Sequence, residues 1–241
     1  MNDGPAYLLD VIKKRRTSRA YRLGTVSPEA IDTMLEAVRW APSAANTQPW
    51  ELILIDDEKI QRDLRDAYLE ESLLHDAHYQ TVSRKQADLI TVPLLIAVCG
   101  NVGSKESYVD ASEIPTQGQE DLFLMSMGAA IQNLLLAATS IGLGSTWIAR
   151  LARVPRVREI LHIPGWLRIV SFVALGIAAN EVRFTESLRI PIHEKTFHNH
   201  YGTSRVLKNA LHPARAERAR PDWADDGKPS EERGGRRANE E

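Results

Sequence analysis

Hydrophobic residues recur every three or four positions along several parts of the chain, which is the spacing of amphipathic helices. This spacing predicts helices over residues 6–14, 28–41, 56–71, 121–141 and 156–161. The second helix also has a clear start, because Ser27 is a typical N-cap and Pro28 is favoured at the first helical position.

Short apolar runs lie between these helices. They predict strands over residues 50–55, 94–98, 145–148 and 169–175. The run at 94–98 is apolar enough to be covered on both faces of a sheet. Strands that alternate with helices indicate a layered α/β or α+β domain, and the pattern leaves the strand pairing open.

The longest uncharged stretch, residues 122–149, is long enough to cross a membrane. Gln132 and Asn133 lie inside it, Gly142 and Gly144 interrupt it, and no cluster of Lys or Arg flanks it. We therefore expect a helix buried between the sheet and another subunit, with no membrane association.

Two segments differ from the rest in composition. Residues 102–120 fall in a polar stretch rich in Gly and Ser, which is too long for a tight turn and predicts a lid or binding loop. Residues 212–241 contain no Leu, Ile, Val or Phe, and 15 of these 30 residues are charged. Such a segment cannot bury enough apolar surface to offset its ordering entropy, so we predict a disordered tail after one domain, residues 1–211.

The overall composition narrows the class of protein. Hydrophobic residues make up 43% and charged residues 26% of the 241 residues, which is a globular balance. The formal charge of -2 argues against a dedicated nucleic-acid-binding protein, which usually has a basic surplus. Cys99, the single cysteine, is expected to be a small buried side chain and excludes an intramolecular disulfide. With no visible signal peptide, a reducing, cytoplasmic location is expected.

A basic segment follows the first predicted helix. Arg15, Arg16 and Arg19 stand beside the hydroxyl groups of Thr17 and Ser18. Forked guanidinium donors match the oxygens of a phosphate, so this segment is a candidate anion site. A solvated basic surface would have the same composition.

A second candidate segment, residues 40–50, connects the second helix to the first strand. Its two prolines and small polar residues indicate a rigid loop at the edge of the sheet. The amides of Asn46 and Gln48, with the hydroxyl of Ser43, can pair with the carbonyls and ring nitrogens of a heterocycle. Plain turn chemistry accounts for the same residues.

Other motifs are weaker. The histidine pairs at 75 and 78 and at 198 and 200 have no cysteine nearby and no carboxylate at a recognisable ligand spacing, so we expect no metal site. Gly142 and Gly144 lack the third glycine of a dinucleotide-binding fingerprint.

Four segments together resemble the flavin-dependent nitroreductase family. They are Arg15-Arg-Thr-Ser-Arg-Ala-Tyr21, Ala41-Pro-Ser-Ala-Ala-Asn-Thr-Gln-Pro-Trp50, residues 128–144, which resemble the family's dimer helix and the turn after it, and Leu188-Arg-Ile-Pro-Ile-His-Glu-Lys195, which is similar to its C-terminal Arg-x-Pro element. The segments occur in the family's order and span residues 8–202, so the resemblance is specific for the family and weak for the substrate.

The resemblance implies an α+β layered fold with a central mixed sheet flanked by helices, in an intertwined homodimer with one FMN in each of two interface clefts. On this basis Arg15 and Arg189 bind the FMN phosphate, while Arg16, Thr17 and Arg19 lie along the ribityl chain and the ring edge. Arg19 would then stabilise negative charge on the reduced ring.

The loop at 40–50 supplies a second implied set of cofactor-binding residues: Pro42, Ser43, Ala44, Asn46 and Gln48. Of these, Ser43, Ala44 and Asn46 would reach the flavin from the partner subunit. The third implied set follows the strand at 145–148, where a backbone N–H of the family faces the flavin nitrogen that receives hydride: Trp147, Ile148, Ala149 and Arg150.

The chain departs from the family pattern in three places. Many relatives carry an acidic residue and a Gly where this chain has Ala149 and Arg150, a change that favours an anionic substrate or an unusual cofactor. Ser187 stands where the family has a Lys near its C-terminal element. Residues 69–88 align poorly, so they are assigned no flavin ligand.

The implied function is an FMN-dependent oxidoreductase. NADH or NADPH would reduce the flavin and leave, and a small nitroaromatic or quinone-like acceptor would then stack in the same place, a ping-pong mechanism that needs no catalytic side chain. Trp147, Tyr108 and Phe123 are expected to wall this slot. The alternatives are the same fold with reductive dehalogenation, azoline dehydrogenation or flavin fragmentation, and a non-catalytic flavin-binding protein. The natural acceptor and the choice between NADH and NADPH stay open.

Overall fold

The computed structural model describes residues 4–108, 115–179 and 189–203. The chain divides into two compact units, Met1–Thr185 and Glu186–Glu241. The domain predicted over residues 1–211 stays a prediction. The predicted tail, residues 212–241, lies outside the described residues, as does Ser187.

Six α-helices lie within the described residues: α1 Gly4–Lys14, α2 Pro28–Arg39, α3 Glu58–Ser72, α4 Ala77–Ala87, α5 Thr116–Ser140 and α6 Arg156–Ile160. Five of them correspond to predicted helices. Ser27 caps α2 as predicted, because its side chain accepts a hydrogen bond from Ala30 N at 3.3 Å. The helix α4 is not predicted, since polar residues occupy most of its sequence and obscure its apolar spacing.

Four strands form one sheet: β1 Trp50–Ile55, β2 Leu94–Asn101, β3 Gly144–Ile148 and β4 Leu167–Gly176. Their order is β1-β2-β4-β3, and all three pairings are antiparallel. Among the described residues, the parallel pairing is limited to an isolated bridge between Thr17 and Ser145, so the strands form an antiparallel sheet rather than the mixed sheet expected. The α+β class is confirmed.

The sheet is covered on both faces, as the apolar run at 94–98 predicts. On one face α2 and α5 pack against Leu94, Ile96 and Val98. On the other face α3 and α6 pack against Leu95 and Ala97. Because successive residues of a strand point to opposite faces, β2 is buried along nearly its whole length.

The helix α5 is long and apolar enough, by length and composition, to cross a membrane. Its buried residues, among them Phe123, Ile131 and Leu134, belong to the core that packs on one face of the sheet. Asn133 Nδ2 donates to Ala37 O of α2 at 2.9 Å, and Gln132 is exposed. Asn133 therefore joins two helices of one protomer.

The segment between β2 and α5 contains more helix than expected. Val102–Ser107 forms a 3-10 helix, at whose start the side chain of Asn101 accepts from Gly103 N at 2.9 Å. The helix α5 begins at Thr116 rather than near residue 121. Residues 102–107 and 116–120 of the predicted loop are therefore helical, and residues 109–114 lie outside the described part of the chain.

Candidate active site

The basic turn after α1 runs along the edge strand β3. Thr17 forms the parallel bridge with Ser145, and Ser18 N donates to Ser145 O at 3.0 Å. The hydroxyl of Thr146 donates to the carbonyl oxygen of Ser18, across a sequence separation of 128 residues. Backbone and side-chain hydrogen bonds therefore join two segments that lie far apart in the sequence.

Tyr21 extends this join to β4. Its hydroxyl lies 2.9 Å from Thr146 Oγ1 and 3.2 Å from the carbonyl oxygen of Ala174. Its backbone forms an antiparallel bridge with Ala178. Burial raises the pKa of Tyr21 to about 12, against the opposing effect of the Thr146 hydrogen bond. The phenol is therefore neutral at physiological pH and acts as a structural tie between the turn and the sheet.

A cavity of about 510 Å³ lies where the basic turn meets β3. Thr17 and Arg19 line it from the turn, and residues 146–150 line it from β3 and the segment after it. The third contribution comes from Val82 and Gln86 of α4 and from Leu89 just beyond it. The structure therefore brings together six of the predicted cofactor-binding residues: Thr17, Arg19, Trp147, Ile148, Ala149 and Arg150.

The contribution of α4 is absent from the sequence-based prediction. Two features of the sequence point to it in retrospect. Val82, Gln86 and Leu89 are spaced by four and three residues, which places them on one helix face. Asp76 is a favoured N-cap residue, and its side chain accepts from Tyr79 N at 2.8 Å. That hydrogen bond also lowers the pKa of Asp76.

Arg150 leaves the end of β3 and stacks on α4. Its guanidinium carbon lies 4.5 Å from the centre of the Tyr79 ring, a cation–π distance. Arg150 Nη1 is buried and has no hydrogen-bond partner within residues 4–108, 115–179 and 189–203. A buried donor left unpaired is costly to the folded protein.

Three further arginines are predicted to bind the phosphate or the ribityl chain. Arg15 and Arg16 are half-buried and do not line the cavity. Arg16 Nη1 donates to the backbone oxygens of Lys13 and Arg15, the latter at 3.0 Å. Arg189 is exposed and belongs to the second compact unit. The roles of these arginines stay predictions.

The predicted loop at 42–48 packs on α5 and does not line the cavity. Ala44 N donates to Ser126 Oγ of α5 at 3.0 Å, and Gln48 N donates to Ser43 Oγ at 3.0 Å. Three residues of the loop have the left-handed backbone conformation although none is glycine: Ala45 at φ 50°, Asn46 at φ 53° and Gln48 at φ 46°. Such strain is costly and tends to occur at functional sites.

Of the three aromatic residues expected to wall the flavin slot, Trp147 lines the cavity and the other two do not. Phe123 is fully buried in the core. Its ring packs so closely against Gly100 that a Cβ added to this glycine would clash with the ring. Tyr108 is only 4% exposed. Both side chains are therefore occupied in packing the protomer interior.

Cys99 is fully buried, as predicted. Burial raises the pKa of its thiol to about 11, which keeps it protonated and unreactive at physiological pH. Within the described residues, no group of three or more His, Cys, Asp or Glu side chains could hold a metal ion.

Comparison with known proteins identifies the family. Residues 12–177 match the model of the nitroreductase family, which covers both the basic turn and β3. The chain belongs to the nitroreductase family. The predicted family and oxidoreductase class are therefore confirmed.

Individual members of the family extend the comparison. A protein of Archaeoglobus fulgidus, provisionally named NADH dehydrogenase/NAD(P)H nitroreductase, is 31% identical over 74% of this chain and 90% of its own length. A provisionally named nitroreductase of Desulfovibrio desulfuricans, solved in complex with FMN, is 26% identical, covers 80% of this chain and 97% of its own, and has a TM-score of 0.59. A Bacillus subtilis structure, only 17% identical over 80% of this chain and 99% of its own, shows the same fold with a TM-score of 0.65.

Proposed function

We propose that this nitroreductase-family protein is an FMN-dependent enzyme that takes reducing equivalents from NADH or NADPH and passes them to a nitroaromatic or quinone-like acceptor by a ping-pong mechanism. The observation that carries the proposal is the cavity at the join between the basic turn and β3. It collects residues of two segments to which the family resemblance assigns flavin contacts. The FMN complex of the Desulfovibrio relative supports the choice of cofactor.

The cavity matches a flavin in size and in chemistry. Its volume of about 510 Å³ falls in the range of roughly 300–1,000 Å³ that is typical of cofactor sites. Trp147, Ile148 and Leu89 give it apolar walls, and Arg19 brings hydrogen-bond donors. The buried Nη1 of Arg150 has no protein partner among the described residues. A planar heterocycle that carries carbonyl oxygens and ring nitrogens can pack against the apolar walls and accept hydrogen bonds from the arginines.

The side chains at the cavity bind and orient rather than react. Bound FMN supplies the hydride and electron transfer of the family. Arg19 places a positive charge at the cavity, where it favours an anionic ring edge. The backbone at Ala149 offers an N–H donor, and Trp147 gives a flat surface on which an aromatic ring stacks. Among the described residues, no carboxylate or imidazole lines the cavity, in keeping with a reaction that needs no general acid or base.

The remaining roles follow from the family resemblance. We assign the phosphate of FMN to Arg15 and Arg189, and the ribityl chain to Arg16 and Thr17. We assign a second group of contacts to the partner subunit's copy of the loop at 42–48. This assignment is supported by the packing of the loop on α5, away from the cavity of its own protomer.

We propose that the protein acts as a homodimer through a surface formed by α1 and α5. These two helices pack against each other. Each carries large apolar side chains that are exposed on the protomer, including Leu8 and Leu9 of α1 at 54% and 55% and Met125 of α5 at 70%. Exposed apolar side chains on helices that pack together typically mark an interaction surface, and a second copy of the chain would bury them.

The first test is the visible absorption spectrum of the purified protein under anaerobic conditions. We expect flavin bands that bleach with NADH or NADPH and return after a nitroaromatic or a quinone is added. A colourless protein that cannot be reconstituted with FMN would contradict the proposed cofactor. A yellow protein that neither nucleotide reduces would contradict the proposed donor.

The second test addresses the order of the reaction. Initial rates measured at several concentrations of both substrates should give parallel double-reciprocal lines, because the nucleotide leaves before the acceptor binds. Intersecting lines would indicate that both substrates occupy the enzyme together, and would exclude the shared cavity.

A further inference from the structure

Arg150 offers the cavity a positive charge that forms no ion pair among the residues that the structure describes. We propose that Arg150 binds the carboxylate of an aromatic acceptor, so that the enzyme prefers acidic aromatic substrates to neutral ones of the same shape. This inference rests on the proposed function, because it names the substrate class for the same cavity.

The position of Arg150 is set from both ends. Its backbone follows β3, whose pairing with β4 positions the chain at the cavity. Its guanidinium lies over the Tyr79 ring at 4.5 Å, and the backbone N–H of Tyr79 is held in turn by the capping carboxylate of Asp76 at 2.8 Å. A guanidinium held in this way loses little further entropy when it binds an anion.

The guanidinium is also incompletely satisfied. Arg150 Nη1 is buried and lacks a hydrogen-bond partner in the part of the chain that the structure describes. None of the ion pairs found there involves Arg150. Because a buried cationic donor is costly without a counter-charge, the site is completed best by an anionic ligand.

The rest of the lining narrows the ligand to an aromatic acid. Among the described residues, Arg19 and Arg150 are the two charged residues that line the cavity, and Arg19 is assigned above to the flavin ring edge. The remaining cation faces a cavity walled by Trp147, whose indole offers a flat apolar surface. A forked donor next to such a surface matches a carboxylate attached to an aromatic ring.

The test compares para-nitrobenzoate with para-nitrobenzamide, which has the same shape and nitro group but no charge. We expect wild-type kcat/KM to favour the acid by about 10- to 100-fold, the range for a charge-assisted hydrogen bond. Arg150→Gln should bring this ratio close to one, and Arg150→Lys should retain part of it. The matched control is Arg153→Gln, which removes an exposed arginine three positions away that does not line this cavity.

Several results would overturn the inference. If the wild-type enzyme does not prefer the acid over the amide, that result alone overturns the inference, and no variant is needed. An equal loss for acid and amide in Arg150→Gln would indicate a merely structural role. Two other outcomes of Arg150→Gln would also overturn it if the acid-to-amide ratio stays unchanged. A weaker FMN affinity would indicate that Arg150 binds the cofactor. A higher KM for NADPH but not for NADH would indicate that Arg150 binds the nucleotide phosphate.

Calorimetric titration of the oxidised protein with the same two compounds separates this inference from the proposed function. Failure of the proposed function would show as absent turnover with every acceptor. In that case, tighter binding of the acid that Arg150→Gln removes would still support the anion site, and equal binding of acid and amide would overturn it.

Discussion

Gly144 and Ser18 lie so close together that a Cβ on Gly144 would come within 2.4 Å of Ser18 Oγ. This contact lies where the basic turn joins β3, next to the bridge between Thr17 and Ser145. A glycine is required there by close approach, since any side chain would push the turn away from the strand.

Gly144→Ala should therefore separate the two segments that line the cavity. We expect the free energy of unfolding to fall by about 1–3 kcal/mol, as is usual for overpacking, and FMN to bind more weakly. Urea unfolding and flavin titration would measure the two effects. Gly165→Ala is the control, because no atom lies within 4 Å of its Cβ position. Equal behaviour of the two variants would mean that Ser18 moves aside at no cost.

Tyr21 should make the protein less stable at alkaline pH. Burial raises its pKa from 10.0 to about 12, so the folded state holds the phenol proton more tightly than the unfolded chain. The resulting stabilisation is complete below about pH 10 and is lost as the pH rises through about 12, with about 1.4 kcal/mol lost by about pH 11. Between about pH 8 and about pH 11, urea unfolding should show a loss that is about 1.4 kcal/mol larger in the wild type and in Tyr7→Phe than in Tyr21→Phe. The buried Cys99 thiol, whose pKa is raised to about 11, adds a further loss that all three proteins share. The same loss in all three proteins would contradict the role of Tyr21.

Ser126 should hold the strained loop on α5. Ser126→Ala removes the oxygen that accepts from Ala44 N at 3.0 Å, which we expect to cost about 1 kcal/mol of stability and to loosen the loop. Limited proteolysis within residues 43–48 should then accelerate and FMN affinity should fall. Ser140→Ala is the matched control, because that exposed serine bonds only within its own helix in the described structure. Unchanged proteolysis would show that the loop holds its conformation without this bond.

Met125 should report on the proposed dimer. Its side chain is 70% exposed on the protomer, so Met125→Asp should leave the fold intact but place a charge in the apolar surface that we assign to the interface. Sedimentation should then give a monomer, with FMN released. Leu74→Asp, at a side chain 77% exposed after α3, should remain dimeric. A dimeric Met125→Asp protein would exclude this part of α5 from the interface.

Arg15 and Arg189 should act together on the FMN phosphate. Each charge-assisted hydrogen bond is worth about 1.5–3 kcal/mol, so Arg15→Ala combined with Arg189→Ala should weaken FMN binding by about 100-fold or more. Lys14→Ala is the neighbouring control, because Lys14 pairs with Asp10 at the surface. Full retention of FMN in the double variant would show that residues other than Arg15 and Arg189 bind the phosphate.

Periodicity along the sequence was sufficient for most of the secondary structure. The apolar spacing of α2 and the continuous apolar run of β2 both depend on residues within a few positions of each other. The helix α4 was not predicted, because the polar residues that make up most of it obscure the periodic face formed by Val82 and Gln86. The same omission removed one side of the cavity from the predicted site.

The sequence by itself determined every described α-helix except α4, the strands other than their pairing, the N-cap at Ser27 and, through four short motifs, the family. Only the tertiary structure decided the antiparallel order of the sheet, the join between Thr17 and Ser145, and the stacking of Arg150 on Tyr79. Caps and periodic faces arise from neighbours along the chain, so they leave a local pattern. Contacts between distant segments depend on how the whole core packs, and no local spacing records them.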